Sequence, residues 1–335
     1  MPIYGSGILG HNQKSITVGE LQALPGERTE GKIPVGEMQD GTSIGLPAVL
    51  INGVADGKTI YLQAVSDGDE LNGIAVIHEV LRQVSPDILR GKVIAIPIVN
   101  FHAFHAKQAY SPVDNLKMNR CFPGKANGTS SERIAHYLFN NAVKQADVCI
   151  DLHQSGVKPM IDEVRVRVSH DHPLHEACLK LARAFGIGYI LDQKGPKGQL
   201  AQVAPDIGIP TIDPELGGCH GWNHLSISKG IRGILNILKT YDFIDGEPEI
   251  PSEQFVAHQF VPVVSNHGGF VRYQVTLTDY IETGQPIAEI HDVFGNLREV
   301  IHSPADGVFW SQPIYPMVAS GGSIGKIGVE AVLDI

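Results

Sequence analysis

From about Lys58 to Ile237 the chain alternates short β-branched apolar runs with longer stretches whose apolar residues recur at helical spacing. That alternation is the mark of an α/β domain, in which helices cover a mostly parallel sheet. Runs at 58–65, 92–99, 147–153, 164–169, 188–192 and 210–216 are the expected strands, several of them bounded by Gly or Pro. Between them "ELNGIAVIHEVLRQV", "SSERIAHYLFNNAVK", "HPLHEACLKLARAF" and "NHLSISKGIRGILNILKTY" carry the helical period, the second with Ser130 or Ser131 as its expected N-cap.

Past Tyr241 the character changes. "FIDGEPEIPSEQ" is a polar, Pro-bearing connection, and after it come short alternating runs with turn signals and no helical pattern. Two units are expected: residues 1–245, whose first 45 or so are extended segments, and a small all-β unit over 246–335. The turns "GQPIAEIHDVFG" and "SPADGVFW" look like those of a biotinyl/lipoyl-type barrel, but no Lys sits where such barrels carry a prosthetic group. A lid or an oligomerisation module is the expected role.

Charge narrows the partners. With 26 Lys+Arg against 36 Asp+Glu the net charge is −10, and no basic cluster interrupts the acidic balance. A nucleic-acid or anionic-membrane surface is therefore not expected. Nor is a signal peptide or a membrane span, since no apolar run approaches the length of about 18 residues that a span needs. The expectation is a cytoplasmic protein acting on small molecules. Cys121, Cys149, Cys178 and Cys219 lie far apart with no C-x-x-C pair, so neither a disulfide framework nor a thiolate zinc site is indicated.

In open α/β sheets ligands gather at the carboxyl ends of the strands. Four such ends are heavily loaded: Asp67, Asp69 and Glu70 after the first run, Asn100 leading on to Asn119 and Arg120, Asp151 and His153 in the third, and Asp213 and Glu215 in the last. Taken alone, the acidic turn "DGDE" reads first as helix capping and dipole complementation. A lone His at a strand end reads first as a hydrogen-bonded structural residue. Two carboxylates three residues apart across a Gly turn, joined by a His from a neighbouring strand end, could equally hold a divalent metal with one position open.

Five segments in order, "DGDELNG", "NFHAF", "YSPVDNLKMNRCFPG", "DLH" and "PELGG", resemble those of the succinylglutamate desuccinylase/aspartoacylase family, zinc-dependent deacylases related to the zinc carboxypeptidases. The resemblance covers roughly residues 40 to 245. It implies a zinc-carboxypeptidase-like mixed sheet flanked by helices, with the smaller all-β domain following as in the family's longer members.

Residue by residue, the resemblance implies a metal held by Glu70 and His153, with Asp67 standing where the family's H-G-x-E motif has its His. A carboxylate binds zinc at about the same distance as an imidazole, so Asp67, Glu70 and His153 form a one-His, two-carboxylate set, more negative than the family's own. One Zn²⁺ per chain is implied, with harder ions such as Mn²⁺ admitted more readily. Glu215 matches the catalytic glutamate, a general base and then a general acid in amide hydrolysis. Asn119 and Arg120 match the N-R of a carboxylate clamp, whose planar fork suits a carboxylate.

Two departures accompany these matches. The family's Arg before the aromatic of that segment is here Ala109, preceding Tyr110, and Lys107 is the expected substitute cation. The Asp before Leu-Asn-Arg is here Lys117. Both point away from N-acetylaspartate and N-succinylglutamate as substrates. His220, Trp222 and His224 could line the pocket. The implied activity is hydrolysis of an N-acylated amino acid or a related small amide. The alternatives are a metallocarboxypeptidase acting on a peptide C-terminus and a non-catalytic small-molecule-binding relative whose metal site has decayed.

Overall fold

A computed structural model describes residues 14–156, 158–219 and 221–330. Nine strands form one mixed sheet, in the spatial order Phe255–Ala257, Tyr189–Asp192, Glu163–Val166, Thr211–Gly218, Val148–Ser155, Ala55–Ala64, Arg90–Ile96, Ser43–Asn52 and Arg28–Glu37. Its centre is parallel: Thr211–Gly218 with Val148–Ser155, that strand with Ala55–Ala64, and this last with Arg90–Ile96. Glu163–Val166 is inserted antiparallel to Thr211–Gly218. The mixed sheet flanked by helices is therefore the observed architecture, and the expected strands all form.

The period-2 geometry of the strands sorts the side chains. Ile60, Leu62 and Ala64, then Val148, Ile150 and Leu152, then Val164 and Val166, all enter one apolar core. The helices Asn72–Gln83, His175–Phe185 and His224–Thr240 cover it. Every second residue faces the other way, and near the carboxyl ends of the strands that side is polar and buried: Gln63, Asp151, His153, Glu163, Asp213 and Glu215. The helix Ser130–Asn141 packs on the same side of the sheet, over a second apolar core. Its N-cap is Thr129 rather than Ser130 or Ser131: the Thr129 N–H donates to Glu132 at 2.9 Å, closing a capping box. Ser131 instead donates to Asp114 from both its N–H and its hydroxyl.

Beyond residue 258 the strands form two four-stranded sheets around their own apolar core, antiparallel throughout the pairings. This body is joined to the large sheet. Phe255–Ala257 pairs in parallel with Tyr189–Asp192, and buried Trp310 packs with Ile161, Leu191, Ala257 and Val308. Among the described residues no helix is long and apolar enough to cross a membrane. All four cysteines are free thiols, Cys149 and Cys178 buried.

Candidate metal centre and active site

The turn after Ala55–Ala64 carries the acidic residues, and its backbone is constrained. Val65 has φ +64°, a left-handed conformation that a β-branched residue adopts only at a cost of about 1–3 kcal/mol. A Cβ at Gly68 would lie 2.1 Å from the Ala103 backbone, so only glycine permits that approach. Capping does not account for the acidic run. The helix Asn72–Gln83 has Leu71 at its N-cap and no acidic residue in its first turn. Its leading N–H groups, those of Leu71 and Asn72, donate instead to Gln154 Oε1 at 3.0 Å each. Asp67 and Glu70 are thereby left for other work, and both are buried.

Sheet register does the rest. Glu215 pairs with His153 on one side and with Glu163 on the other, so three chemically loaded residues from distant parts of the chain lie side by side. His153 Nδ1 is 2.8 Å from Glu70 Oε2, which also accepts the Gln154 N–H at 3.0 Å. Donor atoms of Asp67, Glu70 and His153 all lie within 4.8 Å of one another.

Three observations fit this set to a divalent ion. Asp67 Oδ1 is buried with no hydrogen-bond partner among the described residues. His153 turns Nδ1 to the cluster while its Nε2 lies 3.2 Å from Asp151 Oδ2, outside hydrogen-bond geometry but on the side where a carboxylate usually supports a metal-binding imidazole. Asp151 is itself fixed by a buried chain: Tyr61 hydroxyl to Gln63, Gln63 to Ser66, Ser66 hydroxyl to Asp151. Burial, against the lowering effect of His153, pushes Glu70 up to about 8. Burial works against the His153 imidazolium too, but Asp151 and Asp213 outweigh it and hold its pKa well above the usual value.

Asp67 and Lys117, which stand where the resemblance implies a His and an Asp, meet here. Lys117 Nζ lies 2.8 Å from Asp67 Oδ2, across 50 positions of sequence, and 5.6 Å from the centroid of the Tyr110 ring. Burial disfavours the Lys117 ammonium, yet Asp67 and then Glu70 raise its pKa overall. The negative charge added by placing Asp where the family has His is thus answered by placing Lys where the family has Asp. The two Asp67 oxygens thus differ, Oδ2 facing the ammonium and Oδ1 without a partner among the described residues.

A cavity of about 280 Å³ is lined by Asp67, Glu70, His153 and Glu215, with Asn119, Arg120 and Lys117 on its wall. Asn119 Oδ1 is buried and unpartnered among the described residues. Lys107 lines a different cavity, with Gly68, Asp69, Leu71, Phe104 and His105, so the structure does not bring it to this cluster. Arg165 and Arg167 do line the cluster, and the sequence reading passed them over. They alternate with valines in "EVRVRV", and the signal was there: if the valines face the core, both arginines face the carboxylates of the neighbouring strand. Trp222 is exposed, His224 opens the helix that follows, and His220 lies outside the described residues.

Arg165 bridges Glu215, Nη1 to Oε1 at 2.6 Å, and Glu163, Nη2 to Oε1 at 2.6 Å. Glu163 in turn accepts the Trp310 indole N–H at 2.6 Å. A chain of charge-assisted contacts therefore runs from the C-terminal β body to Glu215. Trp310→Phe keeps an aromatic ring in the core and removes the indole N–H donor. Loss of a hydrogen bond to a charged group is worth about 1.5–3 kcal/mol, so the melting temperature should fall by several degrees, and if Glu215 depends on this chain, kcat should fall by roughly tenfold as well. Steady-state kinetics beside a thermal melt would check it; unchanged kcat would make the contact purely structural.

Residues 56–241 match the model of the succinylglutamate desuccinylase/aspartoacylase catalytic domain. A curated relative from Halomonas elongata, N-alpha-acetyl-L-2,4-diaminobutyric acid deacetylase, is 29% identical over 307 residues, covering 88% of this chain and 89% of that protein. The crystal structure of a succinylglutamate desuccinylase/aspartoacylase from Rhodobacter sphaeroides superposes with a TM-score of 0.78 at 25% identity, over 91% of this chain and 96% of the other. The product-bound structure of the ectoine utilization protein EutE (DoeB) from Ruegeria pomeroyi gives 0.79 at 23% identity, over 91% and 97%, and shares the fold.

Proposed function

The chain belongs to the succinylglutamate desuccinylase/aspartoacylase family and so to a class of deacylating hydrolases, and from that premise we propose that it is a metal-dependent N-acyl amino acid amidohydrolase. The observation that carries this reading is the convergence of Asp67, Glu70 and His153 beside Glu215 in one buried cavity. Asp67, Glu70 and His153 would hold one Zn²⁺ or a similar divalent ion. Such an ion supplies Lewis-acid polarisation of the scissile carbonyl and lowers the pKa of a water to about 7.

The remaining roles fall to this chain's own side chains. Glu215 takes the proton of the attacking water and returns one to the leaving amine, because amide cleavage needs both transfers. Arg165, clamped between Glu163 and Glu215, fixes the direction in which that carboxylate points. Arg120 and Asn119 orient the substrate carboxylate, the guanidinium by paired hydrogen bonds. Arg120→Ala should therefore raise KM about 10–100-fold with a smaller effect on kcat, since it removes binding common to ground and transition states. A fall in kcat with constant KM would assign Arg120 to the reacting centre instead.

The diamino-acid relative makes short-chain N-acetyl amino acids the first substrates to screen. One observation favours a second reading: the Lys117 contact with Asp67 could mark a pocket that binds small molecules without cleaving them. Elemental analysis of the purified protein and of Asp67→Ala, followed by an amine-release screen of N-acyl amino acids, separates the two. About one ion per chain, lost in the variant and accompanied by hydrolysis, supports the hydrolase. Ligand binding with neither ion nor amine release would overturn it.

A further inference from the structure

A second cluster of donor side chains lies away from the cavity, where the large sheet meets the C-terminal β body. Asp192 ends the strand Tyr189–Asp192 and is buried. His175, the first residue of the helix His175–Phe185, places Nε2 at 2.9 and 3.0 Å from its two carboxylate oxygens. His170, from the preceding loop, holds Nε2 3.4 Å from Oδ2. His258 approaches from the junction between the strands Phe255–Ala257 and Gln259–Val264, its Nδ1 3.7 Å from the same oxygen.

One histidine on a buried carboxylate is an ordinary hydrogen-bonded pair. Three are not: the spacings of His170 and His258 to the carboxylate are long or marginal for hydrogen bonds, and the contact His258 Nδ1 does make is with the Asp192 backbone carbonyl at 3.4 Å, yet both rings converge on the same residue. The His170 ring centroid lies 4.8 Å from that of His175 and 5.3 Å from that of His258. Donor atoms of His170, His175 and Asp192 fall within 4.8 Å of one another; His258 borders that set, its Nδ1 3.7 Å from Asp192 Oδ2, and a turn of its ring would bring it in. Three imidazoles and one carboxylate make an N₃O set, the ligand chemistry of a four-coordinate zinc-type ion; a purely oxygen-seeking ion such as Mg²⁺ would not select it.

We propose that His170, His175, Asp192 and His258 form a second, structural site for a zinc-class divalent ion, which braces the α/β body against the C-terminal β body. The brace follows from the placement of the donors. Three belong to the large sheet and its connections, whereas the His258 N–H donates to the Val329 carbonyl at 2.8 Å, in the last strand of the β body. Once His258 turns in as the fourth ligand no position is left for a substrate, so the ion supports the fold and not chemistry. The proposal shares no residue with the Glu215 cavity and stands independently of the activity proposed for it.

The test is titration of the chelator-stripped full chain with Co²⁺, reading stoichiometry and the visible absorption that tetrahedral Co²⁺ produces. His153→Ala should remove one ion and leave the tetrahedral spectrum. The double variant His170→Ala/His258→Ala should lose that spectrum and weaken the second ion by at least about 100-fold. His170→Gln, at an exposed side chain, gives a fold-neutral check and should show the same spectral loss. In melts, Zn²⁺ should raise the Tm of His153→Ala, and that rise should vanish when His170→Ala and His258→Ala are added to the same chain, which removes both sites. A double variant that binds Co²⁺ with the stoichiometry, affinity and spectrum of the wild type overturns the proposal. Loss of the only bound ion in the double variant, with His153→Ala unaffected, would uphold this site and refute the catalytic one.

Discussion

Glu215→Gln should lower kcat by about three orders of magnitude while leaving the bound ion and the fold in place. The amide matches the carboxylate in size, and its oxygen can still accept from Arg165 Nη1, which lies 2.6 Å from Oε1. What it cannot do is take a proton from water near neutral pH or return one to an amine. General acid–base catalysis of this kind contributes typically about 10²–10⁴-fold, and here a single group performs both transfers. Glu215 is not one of the three clustered donors, so elemental analysis should find the wild-type ion content. Single-turnover kinetics on the best N-acyl substrate is the measurement. A loss smaller than about tenfold would take Glu215 out of the proton-transfer role and turn attention to another carboxylate of the cavity.

Lys117→Met should destabilise the chelator-treated protein and make it depend on added metal. Asp67 is almost wholly buried and Lys117 about a quarter exposed, so deleting the ammonium leaves a carboxylate without its compensating charge. Breaking a fully buried pair costs about 3–5 kcal/mol, and the exposure of the lysine brings the expectation to about 2–4 kcal/mol. Saturating Zn²⁺ should restore most of this, because the ion supplies the missing positive charge. Affinity for the ion should meanwhile rise by about tenfold or more as a competing cation leaves. Paired chemical denaturations with chelator and with Zn²⁺ read both effects. Equal stability of variant and wild type under chelator would show that Lys117 does not balance Asp67.

These expectations differ in how far they could be read from the chain alone. The sheet and its helices were legible because apolar periodicity is local: "KTIYLQAV" or "VCIDL" specifies a strand and its buried face whatever lies next to it. The motif segments marked Asp67, Glu70, His153 and Glu215 because each sits at the end of such a run, where side chains leave the core. The cap at Thr129 was missed by one residue because Thr129, Ser130 and Ser131 can all cap, and the reach of Glu132 back to Thr129 decided among them.

Strand order was not legible, and most of the site's electrostatics follow from it. "EVRVRV" reads equally well as an exposed edge. Inserted antiparallel beside Thr211–Gly218, it instead turns Arg165 and Arg167 onto Glu215 and Asp213, and these cations, not Lys107, line the cavity. Nearness in sequence to Ala109 singles out Lys107, yet Lys107 is itself the left-handed residue that ends the short helix Phe101–Ala106, and its side chain lines the neighbouring cavity.

The sequence by itself determined which residues are buried, which face of each strand is apolar and which turns carry carboxylates, since these depend on neighbours a few positions away. Only the tertiary structure decided what each charge meets. Lys117 reaches Asp67 across 50 positions and Trp310 reaches Glu163 across 147, while three histidines from two distant segments gather at Asp192. Buried charges take their partners from whatever the packing brings within a few ångströms, and no local pattern along the chain encodes that distance.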